Sequence, residues 1–390
     1  MVDGGRHDPA RRTQRARGGL MSAPETLLGA AAAAMIAPSA GSPAGSPAGC
    51  VIGIDLDGER QVAAAGLAAP EHPAPVPMRR GTLHDLASVS KVVGTTTALH
   101  RLASMGELDV DDLVTRFVPP FGGHAETSVR DLLQHRAGLQ EWQPLYLAPG
   151  DDPLATIDAL PLRYALRSER HYSDLGFMHL GRVVEAVAGL SLDAAVRDLV
   201  ARPLGLRSLG YGPVAGEAAT SSHGDEAERR MVATGHPYPV AWSDAGFAWR
   251  TAPVNGEAND GNCFHAFGGV AGHAGLFGSI DDVLDVVATL SRADERRELW
   301  DPEVTADFSA AGPDAEQALG WRRRELVVRG ERMPLLWHPG FTGCAVGFVP
   351  GRGIAVAFAS NRLLAAEPAP TDLHWQRVLD ALASTLSTQE

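Results

Sequence analysis

One position in this sequence stands apart by its chemistry. Lys91 is the only lysine among 34 basic side chains in 390 residues, and it follows Ser88 by three positions in the run Ser-Val-Ser-Lys. An arginine guanidinium keeps its proton in a protein, whereas a desolvated lysine amine can lose one and serve as a general base. The spacing therefore predicts a serine nucleophile activated by a lysine. The alternative is that an arginine-biased composition has left one stray lysine near a serine.

The local element decides whether these two side chains can meet. The pattern from Ser88 to Met105 is helical and is stopped by Gly106. With Ser88 in the first turn, Lys91 projects from the same face, so its amine can reach the serine oxygen. The helix N-terminus also offers the Ser88 backbone N–H to an oxyanion. Such a pair is typical of covalent acyl transfer.

A second candidate is the run Tyr172-Ser173-Asp174, just before a helix predicted from Leu175. A tyrosine held near a lysine ammonium can share the proton transfer and protonate a leaving group. The alternative for Tyr172 is a half-buried ring with its hydroxyl on a carbonyl, and for Asp174 it is a simple helix N-cap.

A third candidate lies in the run from Trp337 to Gly343, which leads into a strand at Cys344. Gly340 would let a substrate lie close to the strand backbone, and the N–H of Phe341 is the predicted second oxyanion donor. His338 would line the same cleft. The alternative is a turn with a surface histidine.

Apolar runs at both chain ends predict strands. Cys50–Leu56 and Gln61–Ala65 are joined by Asp57-Gly58, and Cys344–Val349 and Ile354–Ala359 are joined by a Pro/Gly turn. The middle of the chain is mostly helical by pattern. Helices are predicted at about 24–36, 110–118, 129–136, 175–187, 192–200, 281–290 and 372–386.

These elements predict an α/β (α+β) fold in which one antiparallel sheet is built from both chain ends. Terminal helices flank the sheet, and a large helical insertion separates its two halves. We expect residues 1–23 to be a disordered leader, 24–80 and 268–390 to form the sheet domain, and 81–267 the mainly helical domain. The active site would lie between these two domains.

Composition limits the partners and the compartment. The net charge of -13 disfavours nucleic acid or an anionic membrane as the main partner, and no apolar run reaches the length of a membrane span. The three cysteines are scattered, which favours a reducing compartment. An arginine-rich start and an apolar run resemble an export signal, but Glu25 and Pro47 depart from that pattern. We therefore predict a cytoplasmic protein, with export as the less favoured alternative, and Met1 or Met21 as the start.

In the order and spacing of these motifs, the chain resembles the serine beta-lactamase and penicillin-binding-protein superfamily, especially its class C beta-lactamase-related esterases and D-aminopeptidases. Ser88–Lys91 matches the family's S-x-x-K, 172–174 its Y-x-N, and 338–340 its K-T-G or H-x-G. Supporting similarity lies in 127–139 and in the glycine-rich run 268–277, and the match spans about residues 24–388.

The resemblance implies a beta-lactamase/transpeptidase-like fold and a role for each matched residue. Ser88 would be the nucleophile, Lys91 its base and Tyr172 the partner acid and base, with the N–H groups of Ser88 and Phe341 as oxyanion hole. Asp174, His338 and Gly340 would line the substrate site.

Two departures from the family's pattern bear on the proton transfer and on the substrate. Asp174 replaces the family's Asn and should favour a protonated Lys91, which strengthens Tyr172 as base. His338 and Pro339 replace the Lys and hydroxyl residue that grip a penicillin carboxylate, which favours a neutral ester or amide.

The combined prediction is a serine hydrolase that cleaves a small ester, amide or peptide through a Ser88 acyl-enzyme, without metal or organic cofactor. Asn255, Asn259, Asp260 and Asn262, with two histidines nearby, fit no common metal-ligand spacing. Two alternatives stay open: an acyltransferase that uses the same acyl-enzyme, and a non-catalytic ligand-binding member of the fold. Sequence does not give the oligomeric state.

Overall fold

The computed structural model describes residues 26–37, 45–122, 125–214 and 216–388. In chain order the strands are β1 (Gly49–Leu56), β2 (Glu59–Ala69), β3 (Val76–Pro77), β4 (His84–Asp85), β5 (Gly210–Tyr211), β6 (Thr220–Ser222), β7 (Val254–Asn255), β8 (Leu276–Gly278), β9 (Arg322–Val328), β10 (Glu331–Pro339), β11 (Ala345–Val349) and β12 (Ile354–Ser360). The helices are α1 (Leu27–Ile36), α2 (Thr97–Ser104), α3 (Val129–Leu133), α4 (Pro153–Ala159), α5 (Asp174–Ala188), α6 (Leu192–Val196), α7 (Arg202–Leu204), α8 (Glu226–Thr234), α9 (Ile280–Ser291), α10 (Pro302–Ser309) and α11 (Thr371–Thr388).

The main sheet joins the two chain ends. Its strand order is β3-β2-β1-β12-β11-β10-β9, and its pairs are antiparallel. β1 lies against β12, with Cys50 opposite Ser360 and Leu56 opposite Ile354. The two residues of the β1–β2 turn both have positive φ, as a tight Asp-Gly hairpin requires. The predicted antiparallel sheet from both ends is confirmed.

Helices cover both faces of this sheet. α1 and α11 pack on one face through a core that includes Leu28, Met35, Trp375 and Leu382, while α9 packs on the other. The approach of α9 is close because Gly53 has no side chain: a Cβ there would lie 2.5 Å from Leu284 Cδ1. The predicted flanking terminal helices are confirmed.

Among the predicted helices, α5 and α9 follow the predicted bounds closely, while 110–118 is not a helix. Only Val114–Arg116 forms a 3-10 turn there. The Asp109 side chain accepts from the Asp111 N–H, and Asp112 accepts from the Asp109 N–H. Carboxylates that bond nearby amides in this way compete with helical hydrogen bonding.

The two long strands that were not predicted are β9 and β10, and the short strands β3 to β8 were not predicted either. β9 is an edge strand that begins with three arginines, and β10 contains Pro334, a residue that argues against a strand interior. Pro334 pairs with Glu325 of the edge strand and is exposed, so its missing donor is tolerated. Short helices such as α4, α8 and α10 were also not predicted.

The predicted helix from Ser88 is helical throughout, but its winding changes. A 3-10 turn at Ala87–Val89 leads into a π-helical segment at Lys91–Thr96 and then into α2. The Thr97 hydroxyl bonds the carbonyl of Val92 across this wide turn at 2.7 Å. Local π-helix is frequent at functional sites.

The predicted leader 1–23 lies outside the described residues, and the division into two domains stays a prediction. No helix within the described ranges is long and apolar enough to cross a bilayer.

Candidate active site

The turn that carries Ser88 is held in an unusual conformation. Ala87 has φ of +44°, a left-handed backbone that non-glycine residues seldom adopt and that costs energy unless neighbours stabilise it. The carboxylate of Asp85 accepts a hydrogen bond from the Ala87 N–H at 2.7 Å. Ser88 itself is only partly buried.

Lys91 is fully buried and its ammonium makes three polar contacts. Nζ lies 2.9 Å from Ser88 Oγ, 2.7 Å from Asp174 Oδ1 and 3.0 Å from the carbonyl oxygen of His273. An ammonium has three N–H donors and no acceptor, which suits a position surrounded by oxygen acceptors. The structure thus brings the predicted Ser88, Lys91 and Asp174 together.

The protonation of Lys91 follows from these neighbours. Burial lowers the pKa of Lys91, but the charges of Asp174 and Tyr172 and their hydrogen bonds outweigh burial and raise it above the ordinary value. Lys91 is therefore an ammonium at neutral pH, and it donates to Ser88 Oγ. The proton of the Ser88 hydroxyl must then be directed to another acceptor.

The ring of Tyr172 lies beside this cluster. Lys91 Nζ is 5.2 Å from its centroid, and the guanidinium carbon of Arg322 is 5.6 Å away. His135 contacts the ring with centroids 4.7 Å apart, and its Nδ1 accepts from the Ser173 N–H at 3.1 Å. This contact fixes the segment just before α5.

The N-cap of α5 is Ser173 and not Asp174. The Ser173 side chain accepts from the Gly176 N–H, while Asp174 is the first helical residue. Because Ser173 caps the helix, the Asp174 carboxylate is free to pair with Lys91. The simple N-cap interpretation of Asp174 is therefore wrong.

His338 lies at the end of β10, where it is 1% exposed. Its Nδ1 is 2.8 Å from the Pro339 carbonyl oxygen, and its ring centroid is 6.0 Å from that of Tyr172. Burial, with the charges of Arg322 and Lys91, lowers the pKa of His338 well below its usual range. The structure thus places a buried, neutral imidazole beside Tyr172, and the surface-histidine interpretation is wrong.

Gly340 brings the end of β10 against the turn that carries Ser88. A Cβ at this position would lie 2.6 Å from the Leu86 carbonyl oxygen, so a side chain does not fit. The next residue, Phe341, is 43% exposed. The backbone of Phe341 lies immediately after Gly340, where β10 contacts the turn that carries Ser88.

The beta-lactamase family model matches residues 44–381. The chain belongs to the beta-lactamase family. A Bacillus subtilis (strain 168) N-acetylmuramyl-L-alanine amidase is 29% identical over 314 residues, which cover 74% of this chain and 70% of that protein. A putative D-alanyl-D-alanine carboxypeptidase of Escherichia coli (strain K12) is 29% identical over 320 residues, 74% of this chain and 71% of that protein.

Among solved structures, EstCE1, described as a hydrolase with promiscuous acyltransferase activity, superposes with a TM-score of 0.63. It is 27% identical, and the match covers 87% of this chain and 94% of EstCE1. The predicted resemblance is confirmed, and this beta-lactamase-family chain is a serine hydrolase similar to amidases and carboxypeptidases.

Three further groups of this hydrolase reach the cluster without having been predicted. The His273 carbonyl is a backbone acceptor, Asp85 supports the Ser88 turn, and Arg322 lies on the unpredicted strand β9. Among the described residues Arg322 has no ion-pair partner, and its Nε is buried without a hydrogen bond. Of these three groups, only Asp85 could have been noticed in the sequence, because it lies three residues before Ser88.

The polar cluster considered for a metal is instead a hydrogen-bond network. Asp260 Oδ1 lies 2.9 Å from His273 Nε2, and the Asn262 side chain bonds the backbone of Leu145 and Gln143. Within the ranges that the structure describes, no group of three or more His, Cys, Asp or Glu side chains could hold a metal ion.

Proposed function

We propose that this hydrolase cleaves a small ester or amide through an acyl-enzyme on Ser88. The observation that carries the proposal is the 2.9 Å contact between Lys91 Nζ and Ser88 Oγ in a site where Lys91 is fully buried. A serine in contact with a buried lysine, with a tyrosine ring beside that lysine, is the arrangement expected of an activated nucleophile.

The charge state of Lys91 assigns the proton steps. Because Asp174 keeps Lys91 as an ammonium, we assign the base role to the phenolate form of Tyr172, whose oxygen takes the Ser88 proton as Oγ bonds to the substrate carbonyl carbon. The carbonyl becomes an oxyanion, which the N–H groups of Ser88 and Phe341 stabilise. Tyr172 then gives its proton to the leaving oxygen or nitrogen as that bond breaks. In the second half of the reaction, water attacks the acyl carbon and Tyr172 takes its proton. Tyr172 then returns a proton to Ser88 Oγ as the bond to the acyl group breaks and the acid is released.

The substrate side of the cleft favours a neutral ester or amide. His338 is uncharged, and Pro339 has no hydroxyl, so these two positions offer neither a cation nor a hydroxyl to a carboxylate, and the cation beside the cluster is Arg322 of β9. Gly340 lets the end of β10 approach the turn that carries Ser88, which places this strand end next to the nucleophile. We therefore propose esterase or amidase activity with poor turnover of penicillins.

Acyl transfer is the second candidate, and the similarity to EstCE1 favours it. That structure is described as a hydrolase with promiscuous acyltransferase activity and is 27% identical to this chain. An alcohol or amine that replaces water at the acyl-enzyme would give this reaction without any change in the first half. Product analysis with added alcohol separates the two, because transfer yields a new ester in place of acid.

The proposal includes a small-molecule partner and a cytoplasmic location. The net charge of -13 and the three buried, unpaired cysteines support it.

The test compares the native protein with Ser88→Ala and Lys91→Arg on a short-chain p-nitrophenyl ester, with intact-protein mass spectrometry. We expect both variants to lose turnover by about 100-fold or more, and an acyl adduct only where Ser88 is present. Ser168→Ala, which removes a serine hydroxyl outside the cluster, is the matched control.

Full activity in Lys91→Arg would contradict the assigned role of the amine. If no ester, amide or lactam ever acylated Ser88, the non-catalytic ligand-binding interpretation would replace the proposal.

A further inference from the structure

An oxyanion hole works only if its donors point at one spot, and here the two donors come from distant parts of the chain. The Ser88 amide follows the strained Ala87, and the Phe341 amide lies just beyond β10. Preorganised donors are worth most when they need no rearrangement during the reaction. The question is therefore what holds each amide in direction.

The direction of the Phe341 N–H is set from behind its own peptide group. The Gly340 carbonyl and the Phe341 N–H belong to one planar trans unit, so they point in opposite directions. The Gly340 oxygen accepts a side-chain hydrogen bond from Thr371 Oγ1 at 3.0 Å, beside the turn hydrogen bond from the Gly343 N–H at 3.1 Å. Thr371 is 7% exposed and is the first residue of α11. Fixing the carbonyl on one side therefore fixes the N–H on the other.

The same turn is tied to the Ser88 turn through Asp85. The Thr342 hydroxyl donates to the Asp85 carbonyl oxygen at 2.8 Å. The Asp85 carboxylate accepts from the Ala87 N–H at 2.7 Å. Asp85 thus connects the turn after Gly340 with the turn that carries Ser88, and it is 3% exposed.

We propose that Thr371 and Asp85 are positioning residues of the oxyanion hole, Thr371 by orienting the Phe341 N–H and Asp85 by joining the turns that carry the two donors. This inference rests on the proposed function of Ser88. Neither residue touches the reacting atoms, so their effect should appear in transition-state binding and not in ground-state binding.

The test uses the full chain and the pair Thr371→Val and Thr371→Ser. Valine keeps the branched shape but cannot donate to the Gly340 oxygen, whereas serine keeps the donor. We expect Thr371→Val to lower kcat on the p-nitrophenyl ester by about 10- to 100-fold with little change in KM. Affinity for benzeneboronic acid, which forms a tetrahedral adduct on a serine, should fall by a similar factor. Thr371→Ser should restore both.

Thr289→Val is the matched control. It removes a comparable hydroxyl-to-carbonyl hydrogen bond, 2.7 Å to Asp285, in α9. Each variant is also followed by thermal unfolding. Unchanged kcat and boronate affinity in Thr371→Val would overturn the inference. So would a loss of kcat that comes with a fall in unfolding temperature and no change in boronate affinity.

Asp85→Asn provides a second variant. Its carboxylate also accepts from the Asn259 N–H at 2.6 Å, and one amide oxygen replaces two acceptors. We expect kcat and boronate affinity to fall together, and unchanged values would contradict the role of Asp85. Failure of the proposed function looks different, because native protein and Ser88→Ala would then hydrolyse the ester and bind the boronate equally.

Discussion

Asp174→Asn isolates the charge that holds Lys91 protonated. Asparagine has nearly the shape of aspartate and its side-chain oxygen can still accept a hydrogen bond from Nζ. The substitution therefore removes a charge 2.7 Å from the Lys91 nitrogen and leaves the contacts to Ser88 and His273. The Lys91 side chain has 0% exposure and that of Asp174 has 17%, so solvent screens little of the interaction.

The size of the effect follows from this geometry. Unit charges about 4 Å apart attract by about 4 kcal/mol at an effective dielectric constant of about 20. That energy corresponds to a change of about 3 units in the pKa of Lys91. Removing one partner of a buried ion pair costs about 3–5 kcal/mol of folding free energy, because the other charge stays buried. We expect Asp174→Asn to lose about 3 kcal/mol at pH 7, since the Ser88 and His273 acceptors remain.

The dependence on pH gives the sharper signature. In the native protein the pKa of Lys91 is raised, so its stabilising contribution is present below the unfolded pKa and is lost as pH rises through the folded value. Asp174→Asn removes the largest raising effect while burial still lowers the pKa of Lys91, so the folded pKa falls toward the unfolded value. The contribution of Lys91 to stability is then smaller and is lost at a lower pH than in the native protein. The difference between the two proteins should therefore shrink as pH rises through the lower folded pKa of the variant.

Urea unfolding at a series of pH values measures both quantities. Asp111→Asn is the control, because Asp111 pairs with Arg130 at 2.6 Å but its side chain is 65% exposed. That surface pair should be worth less than about 1 kcal/mol. A loss in Asp174→Asn no larger than in the control, or one that does not change with pH, would refute the assignment of the Lys91 charge to Asp174.

Three further outcomes are expected. Tyr172→Phe keeps the ring but has no hydroxyl, so kcat for the ester should fall by about 100- to 10,000-fold while KM changes little; near-native kcat would contradict its role as base. Burial raises the pKa of the Cys344 thiol to about 12, so iodoacetamide should label Cys344 only after unfolding, and rapid native labelling would be inconsistent with this burial. Burial also raises the pKa of Glu228 to about 8. At pH values between the ordinary glutamate pKa and about 8, the folded state therefore binds more protons than the unfolded state. Native stability should therefore fall as pH rises toward 8, and Glu228→Gln should remove that fall in urea unfolding.

The main sheet was readable because its inner strands carry strong local signals. β1 and β12 are apolar runs bounded by tight turns, and antiparallel pairing of the two ends was the arrangement that buried both. β9 lacks such a local signal, because its exposed and buried positions alternate only toward its C-terminal end. It is a strand because β10 supplies a partner edge, which is a tertiary cause that no short window contains.

The candidate site divides in the same way. Ser88 and Lys91 were predictable because three helical positions bring two side chains onto one face whatever the rest of the chain does. The contact of Lys91 with Asp174 depends on how α5 packs against the Lys91 segment, although the run 172–174 had already identified Asp174 as a candidate site residue. The His273 carbonyl had no signature at all, because every residue offers a carbonyl and only the fold selects one.

The reason that position 91 is lysine and not arginine differs from the one that the sequence suggests. The sequence suggests an amine that can lose its proton, but in the folded protein the pKa of Lys91 is raised and the amine stays charged. What the site uses is the compact ammonium, whose three donors reach a serine, a carboxylate and a carbonyl at 2.9, 2.7 and 3.0 Å. A planar, larger guanidinium cannot direct single donors to three such separate acceptors in a fully buried space. Position 91 therefore excludes arginine by geometry even while the charge is kept, and the loss of turnover in Lys91→Arg would report on shape as much as on acidity.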